Sequence, residues 1–432
     1  MAREKLSARL ARFWRNRRGN FAMMTTIASL PVLLSVATAV DVARILEYKT
    51  RMANAADAAV LAAIADGTPA REAAFNMPGI GPLPQGEQDV EAFFTANFLD
   101  EGKVSFDHVT ADVRKENHRI VSSLTYRANV SLFFGGILNL DSVPISGKAQ
   151  AAIQTNAAVD FYMLLDNTPS MGLAATTEGI KTLETHLGCA FACHATNGKD
   201  DTYHDAVDLG VALRIDVVRE ATQKLTARAE EVRTWLHQFR MAVFSFGKDA
   251  TKLGLTQVAA LSSNMDQVAN ATNDLKLMTI PKQGYDNDQQ TDFQATFQAL
   301  NALVPKPGSG LNGAEPQKVV FFVSDGVNDS YKPGTCTKPT TKGRCQEPIN
   351  PAVCEAVKAR GIKIAVLYTR YLPVPSNDWY MSWIAPFQGE ISGRMKSCAT
   401  PGLFFEVGPG EGIAEAMDAL FIKAVQMLRL IG

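Results

Sequence analysis

The first strong pattern along the chain is a continuous apolar stretch close to the N-terminus. No charged residue occurs from Gly19 to Val40, whereas residues 1–19 are rich in arginine and lysine. A helix rises 1.5 Å per residue, so about 20 such residues span the roughly 30 Å hydrocarbon core of a bilayer. Because basic flanks stay cytoplasmic, the pattern predicts a cytoplasmic segment over 1–19 and a transmembrane helix over 20–43, with the rest of the chain outside.

A cleaved signal peptide and a buried core helix are the two other interpretations of this stretch. The apolar run is longer than the core of most signal peptides, but small residues near Val40 leave cleavage open. The steep change in charge argues against a core helix. Beyond Val40, apolar residues recur at three- and four-residue steps among good helix formers, so we expect the helix to continue as far as Gly67.

The pattern then changes from helical to alternating. Residues 87–102 have the composition of a short helix, and period-two alternation of Val, Ile, Thr and Phe from 103 to 154 predicts an antiparallel meander with one solvated face. With the extended helix packed on that meander, residues 44–156 resemble a small pilin-like α+β domain. A spacer or pilus-facing module and a plain folded stalk are both compatible with it.

From residue 157 onwards, buried apolar runs alternate with helical segments. Such runs are typical of parallel strands covered on both faces, and their alternation with helices predicts a doubly wound, Rossmann-like α/β sheet over 157–432. An insertion over about 178–213 precedes the first long helix. The predicted strands cover 158–166, 239–247, 317–326, 362–369 and 402–408, and the predicted helices cover 214–232, 292–304, 351–361 and 412–431.

Hard oxygen donors stand where these strands end. Asp166, Thr168 and Ser170 follow the first strand at alternate positions, Asp325 follows a later one, and Thr291 precedes a helix. Carboxylates and hydroxyls are the ligands of Mg²⁺ or of another divalent cation such as Mn²⁺ or Ca²⁺. With few carboxylates the ion stays electrophilic, so that a partner's carboxylate can complete its shell. The alternative is a site without metal, in which both aspartates only accept backbone hydrogen bonds.

This order of residues resembles the metal-ion-dependent adhesion site (MIDAS) of von Willebrand factor A (vWA) domains. The family pattern is D-x-S-x-S, then T, then D, and the five donors match it in order. Thr168 replaces the usual serine and keeps the hydroxyl, but its β-branch restricts the rotamer. Asn167 and Pro169 also depart from common vWA loops. The resemblance implies a vWA fold that binds a protein partner through a metal ion.

The N-terminal segment resembles a second family. Residues 17–65 are similar to the N-terminal region of TadE/TadG-like proteins of Flp (tight adherence) pilus assembly, and with the vWA-like region nearly the whole chain resembles TadG-like proteins. No acid follows Gly19 closely, as pilin-type processing would require, so we expect the membrane helix to be retained. The resemblance implies a single-pass protein of the bacterial inner membrane, with its C-terminal domain periplasmic or surface-exposed.

The role implied by this resemblance is the assembly or anchoring of Flp pili. The partner would be a pilus-assembly component that presents an acidic side chain to the metal ion. An envelope vWA adhesin or scaffold unrelated to pili is the main alternative. A redox or metal-handling protein that uses the Cys/His cluster at 186–204 is a second alternative.

The chain has six cysteines, which in an exported region would lie in an oxidising compartment. Six cysteines allow 15 pairings. Proximity in sequence and the family resemblance together imply the pairs Cys189–Cys193, Cys336–Cys345 and Cys354–Cys398. Binding of zinc or haem by the segment around the first pair is also possible, since the Cys/His cluster at 186–204 contains His186, His194 and His204 as well.

Composition and motifs disfavour two classes of function. The chain is 46% hydrophobic and 20% charged with a formal net charge of -1, which is typical of a folded protein and gives no electrostatic case for nucleic-acid binding. The sequence contains no G-x-S-x-G, no phosphate-binding loop ending in G-K-[ST] and no H-E-x-x-H. We therefore expect a binding protein and not an enzyme.

Overall fold

The computed structural model describes residues 18–77, 79–98, 102–137, 139–199, 201–408 and 412–429. Most of the predicted basic segment over 1–19 therefore lies outside the described residues. The chain divides into two compact units. The boundary falls between Gln154 and Thr155, and Phe75–Gly79 belongs to the second unit.

One long helix dominates the first unit, as the sequence predicts. Helix α1 (Arg18–Ala62) contains Pro31, and its part from Met23 to Ala62 is long and apolar enough to cross a membrane. Its first half exposes apolar side chains such as Leu33, which is 64% exposed. Its second half buries Met52 and a row of alanines instead. The helix therefore has an unpacked apolar half and a packed half.

The packed half of α1 lies against a four-stranded antiparallel sheet in the order β1-β2-β3-β4, which confirms the predicted meander. An aromatic core fills the unit, and in it the rings of Phe94 and Tyr126 stack with their centroids 5.4 Å apart. The remaining elements are α2 (Pro69–Asn76), whose last two residues belong to the second unit, β1 (Gly81–Pro82), α3 (Pro84–Asn97), β2 (Val104–Glu116), β3 (Arg119–Ser131) and β4 (Ser142–Gln154).

The second unit is built on a six-stranded sheet in the order β13-β12-β8-β5-β6-β7. All neighbouring strands are parallel except β7, which pairs antiparallel with β6. The strands are β5 (Val159–Leu165), β6 (Phe239–Asp249), β7 (Lys252–Ser262), β8 (Gln317–Ser324), β12 (Lys363–Thr369) and β13 (Phe404–Val407).

Helices cover both faces of this sheet. Along β5, Phe161 and Met163 enter one hydrophobic core, whereas Tyr162 and Leu164 enter the other, because successive side chains of a strand point to opposite faces. The predicted mixed α/β, doubly wound fold is thereby confirmed. The helices are α4 (Thr177–Leu187), α5 (Thr202–Asp208), α6 (Arg214–Val232), α7 (Met265–Thr272), α8 (Phe293–Leu303), α9 (Ala352–Lys358), α10 (Asp378–Trp383), α11 (Gln388–Cys398) and α12 (Ile413–Arg429).

A three-stranded antiparallel sheet in the order β10-β11-β9 extends from the end of β8. Its strands are β9 (Val327–Tyr331), β10 (Thr340–Thr341) and β11 (Arg344–Pro348). Disulfides join Cys336 to Cys345 beside this sheet and Cys354 of α9 to Cys398 of α11. These bonds are two of the three pairings expected from the sequence.

The third expected pair, Cys189 and Cys193, is not joined by a disulfide in the structure, so that this expectation is not confirmed. The two residues follow Gly188, the C-terminal cap of α4, which adopts the left-handed conformation with φ 70°. Helix α4 and helix α5 are the two helices of the segment that the sequence marks as an insertion.

Candidate metal centre

The candidate centre begins with two aspartates at the carboxyl ends of adjacent strands. Strands β5 and β8 pair in parallel up to Leu165 and Val323, so the residues that follow them emerge side by side. The backbone N–H of Asp166 donates to the carbonyl of Val323 over 3.0 Å, which holds the two chain segments together beyond the last paired residues. The sheet therefore brings together residues that are far apart in sequence.

The carboxylate of Asp166 is fully buried and accepts three hydrogen bonds. Its Oδ1 accepts from the backbone N–H of Thr168 over 3.0 Å and from the Thr168 hydroxyl over 2.7 Å. Its Oδ2 accepts from the Ser324 hydroxyl over 2.6 Å. Ser324 directly precedes the second aspartate, so this bond ties the loop after β5 to the end of β8.

The second aspartate, Asp325, completes a connected group of oxygens. Its Oδ1 accepts from the backbone N–H of Val327 over 3.2 Å, and the neighbouring Ser170 hydroxyl lowers the pKa of the same carboxylate. The hydroxyl oxygens of Ser170 and Thr168 are 3.5 Å apart. Hydrogen bonds and close contacts thus link four of the five predicted donors: Asp166, Thr168, Ser170 and Asp325.

The fifth predicted donor, Thr291, lies on the same cavity as Ser170. Its backbone exchanges two hydrogen bonds with that of Asp329 in β9, over 2.8 and 2.9 Å, and it immediately precedes the N-terminal cap of α8. The structure therefore brings Thr291 to the rim of the cavity that Ser170 also lines. That Thr291 acts as a ligand stays a prediction.

Burial and mutual repulsion govern the charge of the two carboxylates. Burial, followed by the charge of Asp325, raises the pKa of Asp166 to about 6 despite its three hydrogen bonds. Burial also raises the pKa of Asp325, against the opposing effect of the nearby Arg214 guanidinium. Two like charges held this close in a buried site are stabilised by a cation.

The donor set fits a hard divalent ion. Carboxylate and hydroxyl oxygens are the ligand types that Mg²⁺ prefers, and no softer ligand is needed to complete the group. The side chains that would hold the ion are Asp166, Thr168, Ser170, Thr291 and Asp325. The only cationic side chain that faces the two buried aspartates among the described residues is Arg214, which leaves one of the two negative charges uncompensated.

Sequence reasoning missed Ser324 and Arg214. The position of Ser324 could have been recognised from the sequence, because it directly precedes Asp325 near the end of a predicted strand. For Arg214 there was none, since it begins α6 and is 111 residues from its partner Asp325. A buried ion pair of this kind emerges only from the packing of α6 on the sheet.

A cavity of about 400 Å³ adjoins the centre, and it has a mixed polar and aromatic wall. Arg344 lies on this wall and donates to both oxygens of Asp329, over 2.8 and 2.5 Å, while its guanidinium lies 4.5 Å from the centroid of the Trp379 ring. Burial raises the pKa of Asp329 to about 7, against the effect of Arg344. Phe191 of the insertion lines the cavity as well, so the insertion contributes to the wall.

Comparison with known proteins gives one family match. Residues 19–71 match the family described as "Putative Flp pilus-assembly TadE/G-like". The resemblance expected for the N-terminal segment is therefore confirmed over these residues. No curated protein matches the chain.

Several solved structures are similar at low identity. The vWF domain of the type V pili tip protein Mfa5 from Porphyromonas gingivalis is 11% identical, with a TM-score of 0.36, over 64% of this chain and 96% of that chain. The pilus adhesin SpaC from Lactobacillus rhamnosus GG is also 11% identical, with a TM-score of 0.36, over 77% of this chain and 35% of that chain. Proximal thread matrix protein 1 from the mussel byssus, described with a zinc-occupied MIDAS motif, is 12% identical, with a TM-score of 0.31. The similarity covers 64% of this chain and 46% of that chain.

Proposed function

We propose that this chain is a membrane-anchored protein of the bacterial cell envelope that takes part in the assembly or anchoring of Flp pili. The match of residues 19–71 to a pilus-assembly family supports this role. The exposed apolar half of α1 supports an anchor in the inner membrane, with the basic N-terminus in the cytoplasm and the second unit in the periplasm or at the surface. The limits we propose for the transmembrane helix are residues 20–43.

Within this role, we propose that the second unit binds a protein partner through a metal ion. The observation that carries the proposal is the convergence of Asp166, Thr168, Ser170 and Asp325 at the ends of two adjacent strands, beside a cavity. A divalent ion held there would act as a Lewis acid towards an acidic side chain of the partner. The chain itself contributes a donor set in which both aspartates are buried, and Ser170 and Thr291 line the adjoining cavity.

The proposed action is binding and not catalysis. The hydroxyls of Thr168 and Ser324 both donate to Asp166, and the described residues that line the adjoining cavity include no histidine that could act as a general base. The family matched by the N-terminal segment is one of pilus assembly. An assembly component that grips a partner is the function that these features favour.

Metal titration of the full chain in detergent tests the centre. We expect calorimetry to detect binding of Mg²⁺ or Mn²⁺ to the wild-type chain, and Asp166→Ala to abolish it because the buried ligand is lost. Asp112→Ala, at a half-buried surface position in the first unit, is the matched control and should bind as the wild type does. Wild-type protein that binds neither ion would contradict the proposed centre.

Complementation of a deletion strain tests the role in pilus assembly. We expect the deletion to remove Flp pili from the cell surface, the wild-type gene to restore them, and Asp166→Ala to fail although the protein reaches the membrane in normal amounts. Electron microscopy of the cells gives the readout. Normal pili on the deletion strain would exclude the role in assembly, and normal pili with Asp166→Ala would exclude a role for the metal.

A further inference from the structure

The insertion contains a second group of metal-ligating side chains, none of which belongs to the centre described above. His194, Asp201 and His204 each offer one ligand atom, and these atoms all lie within 4.8 Å of one another. His194 and Asp201 are half-buried, and His204 is exposed. Two imidazoles and one carboxylate so close together form a donor set that differs in kind from the oxygen donors around Asp166.

Backbone and ring contacts hold the two segments of this cluster together. The backbone N–H of Cys193 donates to the Thr202 hydroxyl over 2.7 Å, and the N–H of Tyr203 donates to the Cys193 carbonyl over 2.9 Å. The Tyr203 ring stacks on the His194 ring with centroids 4.5 Å apart. The ligand-bearing residues before α5 and in its first turn are therefore fixed relative to each other before any ion binds.

A hydrogen bond to the backbone fixes the tautomer of His194. Nδ1 of His194 lies 3.0 Å from the carbonyl oxygen of Leu277, which can only accept, so Nδ1 carries the proton and Nε2 keeps its lone pair. A histidine that donates one ring N–H to a carbonyl is the usual arrangement for a metal ligand, because it fixes the tautomer and the ring. His194 thus has the protonation state of a ligand.

Asp201 provides the independent indication that a cation is needed. Its Oδ2 lies 2.5 Å from Nδ1 of His204. Its Oδ1 is buried and has no hydrogen-bond partner among the described residues. A buried carboxylate oxygen without a partner is costly, and a bound cation would satisfy it.

We propose that His194, Asp201 and His204 bind a zinc ion. Imidazole nitrogen and carboxylate oxygen are common zinc ligands, whereas Mg²⁺ prefers oxygen alone. Three protein ligands leave a fourth position for water or for a group of a partner. The ion would fasten α5 to the segment that carries Cys193, which lines the cavity beside Ser170, and would thereby hold that wall of the cavity in place.

Zinc titration of the full chain tests the site. Asp166→Asn serves as the parent, so that zinc bound at the first centre does not contribute. We expect the metal-free parent to bind one zinc ion per chain, and His194→Ala or His204→Ala in the same background to weaken it at least tenfold. His186→Ala is the matched control, since His186 is an exposed histidine on α4 outside the cluster, and it should bind zinc as the parent does.

The ligand types provide a readout that does not depend on the folding of the alanine variants. X-ray absorption at the zinc edge of the parent should show nitrogen and oxygen neighbours at about 2.0–2.1 Å. Sulfur neighbours at about 2.3 Å would assign the ion to Cys189 and Cys193 and overturn the proposal. A parent that binds no zinc, or alanine variants that bind it as tightly as the parent, would overturn it equally.

Discussion

The guanidinium of Arg214 lies 3.4 Å from Oδ2 of Asp325, and neither side chain has any surface exposed to solvent. Arg214 also donates to the carbonyl of Arg370 over 3.1 Å and lies 5.0 Å from the ring centroid of Tyr371. The arginine thus supplies a resident positive charge at a centre proposed to bind a cation. Stability of the second unit and cation binding should therefore be linked through Arg214.

Arg214→Met should expose this linkage. Removing the arginine leaves Asp325 buried without its counter-charge, which costs about 3–5 kcal/mol of unfolding free energy. A divalent ion would replace the lost charge, so we expect saturating Mg²⁺ to restore part of that loss. Tryptophan fluorescence during urea unfolding, with Mg²⁺ or with chelator, measures both values.

Arg214→Lys is the matched control, because it keeps the charge and loses the guanidinium contacts. We expect it to be less destabilised without Mg²⁺ than Arg214→Met and to gain less from the ion. An equal loss for Arg214→Met in Mg²⁺ and in chelator would contradict the linkage.

The raised pKa of Asp166 predicts a pH dependence of metal binding. Its pKa in the folded chain is about 6, against 3.8 in the unfolded chain, so without metal its contribution to stability falls as the pH rises from about 4 to about 6. A cation binds the ionised form of Asp166 and offsets this loss of stability. The increase in Tm caused by Mg²⁺ should therefore grow from pH 5 to pH 7, and scanning calorimetry at both pH values measures it.

Asp166→Asn removes the titrating group while keeping the size of the side chain. Its Tm should not respond to Mg²⁺ at either pH. An equal Mg²⁺ effect on the wild-type Tm at pH 5 and pH 7 would show that Asp166 does not control binding.

A substitution at the opposite end of the sheet should lower stability without changing metal binding. Asp160, at the start of β5, is buried and bonded to Arg240 of β6 and Lys318 of β8, with Nε–Oδ1 and Nζ–Oδ2 distances of 2.7 and 2.5 Å. Asp160→Asn leaves those cations without full compensation and should cost about 3 kcal/mol of unfolding free energy. Since it lies at the amino end of the strand, it should leave the Kd for Mg²⁺ within about twofold of the wild-type value. Urea unfolding measures the free energy of unfolding, and calorimetry measures the Kd for Mg²⁺. A large change in this Kd would show that Asp160 also affects metal binding.

Asp41 should anchor the loop between β3 and β4 to α1. Its Oδ1 accepts from the N–H of Phe133 over 2.8 Å and its Oδ2 from the N–H of Phe134 over 3.0 Å. Asp41→Ala leaves both amides without an acceptor, which costs about 1–3 kcal/mol. We expect the two amides to exchange hydrogen faster, whereas Asp112→Ala, at a half-buried surface position of the same unit, should leave them unchanged. Unaltered exchange in Asp41→Ala would show that the loop is held by its apolar contacts.

The sequence by itself determined most of the helices and strands and indicated the candidate oxygen donors. The uncharged stretch Gly19–Val40 can form only a limited set of structures, and it belongs to α1. Apolar runs such as Val159–Leu165 form parallel strands. Local periodicity specifies such elements because the pattern of burial repeats with the helix or strand. Asp166 and Asp325 could likewise be recognised because each directly follows such a run.

Only the tertiary structure decided what surrounds those donors. The pairing of β5 with β8 brings Ser324 to Asp166, and the packing of α6 brings Arg214 to Asp325, although nothing in the local sequence of either residue indicates its partner. The same holds for the cluster of His194, Asp201 and His204, whose geometry depends on how the insertion folds back on itself. Contacts between residues far apart in the chain depend on strand order and helix packing, which local patterns do not encode.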